Sequence, residues 1–86
     1  MWIVELSFTP DPRRLEFRTA HRDYLATLHQ EGSLRMAGPL ADDSGAMMIF
    51  DAETREDLDR LMAPDLYFTA PGVTVSSIRQ WSPILT

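Results

Sequence analysis

The chain has 86 residues, no cysteine and a net charge of −5, and arginine is its only basic side chain apart from two histidines. That length makes one domain, residues 1–86, which buries only about 60–65% of its unfolded surface and has no disulfides to supplement it, so self-association is the expected source of extra stability. Without cysteine or lysine there is no thiolate nucleophile, cysteine zinc site or Schiff base, and the acidic balance disfavours nucleic acid as a partner.

The first segment alternates Trp2, Val4, Leu6 and Phe8 against Ile3, Glu5 and Ser7. Period two with aromatic and β-branched residues predicts a strand. With a glutamate inside it and no basic residues ahead of it, the segment does not read as a signal peptide. No apolar run approaches the roughly 20 residues of a membrane span. A cytoplasmic protein with no membrane partner is expected.

Thr9-Pro10-Asp11-Pro12 breaks the strand, with Asp11 as N-cap and Pro12 at the first helical position. The pattern then predicts a helix over Arg13 to Glu31. Phe17, His21, Tyr24, Leu25 and Leu28 share one face, while Arg14, Arg18, Arg22 and Asp23 lie mostly away from it. Gly32 ends the helix.

Leu34 to Leu40 and Ala46 to Phe50 flank the turn residues Asp42-Asp43-Ser44-Gly45 and predict a hairpin. The second run is apolar throughout, as expected of a strand buried on both faces. Thr54 caps a second helix that presents Leu58, Leu61 and Met62 and stops at Pro64. Asp65 to Ala70 forms one further turn. Val73 to Trp81 alternates as a last strand, with Arg79 and Trp81 in phase with Val73 and Val75.

The order β-α-β-β-α-β with right-handed crossovers defines an α+β, ferredoxin-like βαββαβ sandwich. Two helices cover one face of four strands. The other face, apolar at residues 46–50, is expected to pack against a second copy in a two-fold dimer.

His21 is the side chain most suited to chemistry, since imidazole titrates near neutrality and serves as a general base. Pattern alone, with its place between Phe17 and Leu25, favours a core histidine bonded to a carbonyl over a functional one. His29, eight residues on, stands roughly 12 Å along the helix from His21. One metal ion cannot join the two, and His29 reads as a structural or solvated residue near the helix end. Asp65, between Pro64 and Tyr67-Phe68, is either a cap or a functional carboxylate. No phosphate loop, nucleophile elbow or HExxH motif is present, and no metal or cofactor is expected.

Together these residues resemble the YciI-like, or YCII-related, family. The resemblance is carried by Arg18-x-x-His21, Gly32, Ala37-Gly38-Pro39-Leu40, Asp43, Gly45, Ile49-Phe50, Asp65-x-Tyr67 and Ile78-Arg79-Gln80-Trp81. It implies a dimeric α/β barrel and a histidine–aspartate dyad falling on His21 and Asp65. Leu66 replaces the family's usual proline, and Ala70-Pro71-Gly72 replaces its usual Ala-Gly.

The expected function is a small cofactor-independent enzyme. His21 would move a proton and Asp65 would orient it, in elimination, isomerisation or hydrolysis of a small cyclic or aromatic anionic metabolite. Arg18 or Arg79 would hold the anion. Tyr67, Phe68 and Trp81 would wall the ring near Gly38 and Pro39. The alternative is a non-catalytic ligand-binding or interaction domain of the same fold.

Overall fold

A computed structural model of the chain describes residues 1–86. The alternating first segment forms β1 (Trp2–Phe8), which turns Val4 and Leu6 into a closed interior and leaves Glu5 half-buried on the other side. Asp11 caps the next segment by accepting from the Arg13 N–H at 3.0 Å. Winding there begins as a 3₁₀ helix over Pro12–Phe17, and only then continues as α1 (Arg18–Glu31). Hydrophobic spacing cannot separate these two windings over so short a stretch. Gly32 ends α1 at φ 85°, a left-handed position where glycine carries no Cβ penalty.

The hairpin is β2 (Leu34–Pro39) and β3 (Gly45–Phe50). The second helix is α2 (Arg55–Met62), capped by the Thr54 hydroxyl on the Asp57 N–H at 3.1 Å. A second 3₁₀ turn, Leu66–Thr69, leads to β4 (Val73–Gln80). The strands run β2-β3-β1-β4, every neighbouring pair antiparallel. This is the ferredoxin-like arrangement, with both helices on one face.

The core lies between that face and the helices. It joins Val4, Leu6, Met48 and Phe50 of the sheet to Leu28 of α1, Leu58 of α2, and Tyr67 and Phe68 of the 3₁₀ turn. The helix-free face is left open within the single chain, as two helices on one side of four strands require. Met47 and Ile49 are only half-buried there, because no element of the same chain covers them.

Two bulges reset the phase of the edge strands. Glu5 pairs with Ser77 but Leu6 with Val75, so Ser76 is an extra residue in β4. Ile78 thereby joins Val73 and Val75 against the core, and Arg79, paired with Ile3, faces the open side. A similar shift around Arg35 leaves Met36 opposite Ile49 and 68% exposed.

Candidate active site

The pairing of α1 with β2 and β3 is incomplete at one end and leaves a cleft of about 570 Å³. Its floor includes Ala46, Met48 and Ala37, its rim Gly38 and Pro39, and its helical wall Arg18, His21, Arg22 and Leu25. A Cβ on Gly38 would meet nothing within 4 Å, so this glycine keeps the rim open rather than avoiding a clash.

His21 is buried, with its Nδ1 against Asp65 Oδ2 in a short contact. The other Asp65 oxygen, Oδ1, accepts from the Tyr67 N–H at 3.0 Å and so caps the 3₁₀ turn. The sequence left a cap and a functional carboxylate as alternatives for Asp65; one oxygen makes the cap and the other reaches His21. A carboxylate only accepts, so Nδ1 carries the proton. Stacking fixes the ring further. Tyr67 lies parallel to it at 4.2 Å and 15°, and Phe68 meets it edge-on at 5.7 Å.

Nε2 of His21 bonds to no protein group, yet no buried side-chain nitrogen or oxygen lacks a partner. Nε2 therefore sits at the cleft surface, with its lone pair available there. A pinned Nδ1–H and an open Nε2 are what a general base needs.

Arg14 extends the cluster. It donates to the Tyr67 hydroxyl at 3.0 Å, lies over the Phe8 ring at 4.1 Å, and approaches Asp43 at 3.6 Å. Its side chain is only 12% exposed, against 69% for Asp43. Asp43 holds φ 59°, a left-handed conformation that aspartate tolerates. On the far side, the Tyr24 phenol is pushed above its ordinary value by burial first, then by the carboxylates of Asp65 and Glu31. It donates to the Leu61 carbonyl at 2.7 Å and remains a donor.

The structure thus brings together His21, Asp65, Arg18, Gly38, Pro39 and Tyr67. Phe68 supports the imidazole from behind and does not line the cleft. Arg79 is not brought to this cleft. The bulge turns it to the opposite face of the sheet, where it pairs with Glu5 at 2.7 Å. Trp81 is also distant, since its backbone pairs with Met1 at the end of β1 remote from Phe8. Sequence reasoning missed Arg14, Arg22 and His29 as cleft residues. Arg14 and Arg22 share the hydrophilic stripe of the α1 segment, and only their four-residue spacing from Arg18 hinted at a common edge. No three His, Asp or Glu side chains converge as metal ligands.

The fold and this cleft define a ferredoxin-like domain with an inward-pinned histidine facing a small pocket. A family model described as YCII-related domain matches residues 1–82, and the chain belongs to that family. No curated protein sequence matches it. Among solved structures it is similar to 5-chloro-2-hydroxyhydroquinone dehydrochlorinase from Burkholderia phenoliruptrix AC1100, in complex with 2,5-dihydroxybenzoquinone. That likeness has 20% identity, a TM-score of 0.66, and coverage of 95% of this chain and 94% of the other. No helix is long and apolar enough to cross a membrane.

Proposed function

We propose that this domain is a small-molecule enzyme in which His21 and Asp65 perform general acid/base chemistry on a small cyclic or aromatic anion. One observation carries this reading: the imidazole is tied to a buried carboxylate at Nδ1 while its Nε2 opens into an arginine-walled cleft. A histidine kept only for packing has no need of a free nitrogen at a cavity surface. In an elimination, Nε2 takes the proton from carbon, the C–H electron pair becomes the new double bond, and the leaving group departs as an anion. Asp65 stabilises the imidazolium formed meanwhile. Isomerisation uses the same proton, returned to a neighbouring atom. Hydrolysis uses it from water. The dehydrochlorinase of the same fold, bound to a dihydroxybenzoquinone, supports the choice of a ring substrate.

The same reading makes the protein a cytoplasmic homodimer joined through the helix-free sheet face. It is supported by the half-buried Ile3, Met47 and Ile49 on that face. Turnover is tested in D₂O with a panel of chlorinated hydroquinones, hydroxyquinones and unsaturated ring lactones, each with and without a ring carboxylate, following halide release, ring opening and carbon-bound deuterium by NMR. His21→Gln is expected to abolish every change the wild type produces, and Asp65→Asn to reduce it by orders of magnitude. Undiminished turnover in His21→Gln would refute the assignment.

A further inference from the structure

Six of the eight arginines have a carboxylate within ion-pair distance: Arg13, Arg14, Arg35, Arg55, Arg60 and Arg79. The two without one are Arg18 and Arg22, in a chain that has 13 acidic residues to offer. Neither donates a hydrogen bond from its side chain, and both line the cleft beside His21. The cleft's only carboxylate is Asp43, held on the Arg14 side.

Arg18 and Arg22 are four residues apart on α1, so their Cβ atoms stand roughly 5–6 Å apart on one edge of the helix. His21 is three residues from Arg18 and next to Arg22. A carboxylate offers about four lone-pair sites, enough for two guanidinium forks. We infer that Arg18 and Arg22 form a two-pronged clamp for a carboxylate on the substrate ring, a group separate from the atom that His21 deprotonates. The substrate class is then a ring carboxylic acid rather than a neutral phenol or quinone. Arg22 determines this specificity together with Arg18. Arg14 is already engaged with Tyr67 and Asp43 and acts as a positioning residue for the stacked Tyr67–His21 pair.

This inference rests on the proposed acid/base reading for the position of the reacting atom, but its anion selectivity is measurable without turnover. The probes are 2-hydroxybenzoate and its neutral analogue 2-hydroxybenzamide, titrated into ¹⁵N-labelled protein by NMR. The acid is expected to bind at least about tenfold more tightly than the amide. Its largest shifts should fall on α1 from Arg18 to Leu25 and on β2 near Gly38. Arg18→Gln and Arg22→Gln should each weaken the acid by about tenfold and leave the amide unchanged. Arg35→Gln, which removes the same charge outside the cleft, should change neither ligand.

His21→Gln separates the two claims. Acid-over-amide preference retained in His21→Gln and lost in the arginine variants supports the clamp, whatever becomes of turnover. Equal binding of acid and amide by the wild type overturns the clamp, as does an equal loss of acid binding in Arg35→Gln. Either result leaves the His21–Asp65 chemistry to its own test.

Discussion

Replacing Asp65 with alanine removes one carboxylate that serves two buried donors, the His21 Nδ1–H and the Tyr67 N–H. The Asp65 side chain is only 3% exposed, so water cannot readily take its place. A stranded buried donor costs about 1–3 kcal/mol, and breaking a buried pair by deleting one partner costs about 3–5 kcal/mol. Asp65→Ala should therefore lose about 3–5 kcal/mol, a large share of what a domain this small possesses.

Asp65→Asn differs. Its Oδ1 still caps Tyr67, and its amide donates to Nδ1, which drives the ring proton to Nε2. That variant should lose only about 1 kcal/mol, lowering the melting temperature by about 4–8 °C, while its base is blocked by the wrong tautomer. Urea unfolding followed by circular dichroism measures both losses, with the slope unchanged if only native stability moves. Equal destabilisation by alanine and asparagine, or an alanine variant within about 1 kcal/mol of wild type, would refute the double role of Asp65.

Three further outcomes follow from the packing and the charges. At Gly45 an added Cβ would stand 2.0 Å from the Leu6 carbonyl oxygen, a backbone atom of the central strand. Gly45→Ala should thus separate β3 from β1 and cost about 3 kcal/mol or more, and a melting temperature equal to wild type would contradict this. The Asp42 carboxyl is held below its ordinary value first by the Ser44 hydroxyl and then by the Ser44 N–H. The stabilisation it lends the turn is complete above the ordinary carboxylate pKa of about 3.9 and is lost as pH falls through the lower folded value. Ser44→Ala should move the Asp42 titration upward by NMR, and an unmoved midpoint would exclude the hydroxyl as its cause. Ile49→Arg on the helix-free face should convert a dimer at micromolar concentration into a monomer in sedimentation, whereas a monomeric wild type would rule out that interface.

The first strand and first helix were legible because each carries a clean period, of two in Trp2–Phe8 and of near 3.6 in the α1 segment, and the hairpin because turn residues split two apolar runs. The phase that shares a face with Phe17 and Leu25 also buried His21 correctly. Asp65 was legible as a cap by position, and as the partner of His21 only through the family resemblance. Arg79 was misplaced because a bulge adds one residue to a strand without a mark in composition. Ser76 looks like any other alternating polar residue, yet it sends Arg79 to the other face. Arg14 and Arg22 were read as solvent-facing because a helical wheel divides residues into inside and outside. A cleft along a helix edge belongs to neither, and the 3₁₀ winding of Pro12–Phe17 rotates Arg14 from where a regular helix puts it.

The tautomer of His21 tests the central claim most directly. In ¹⁵N-resolved imidazole spectra of the wild-type protein, the neutral ring should carry its proton on Nδ1, with a far-downfield, exchange-protected resonance from the bond to Asp65. Nε2 should be the unprotonated nitrogen and the one that shifts when 2-hydroxybenzoate is added, and Asp65→Asn should exchange the two nitrogens. A wild-type ring protonated on Nε2, or one indifferent to both the ligand and the Asp65 substitution, would contradict a base held by Asp65 and aimed into the cleft.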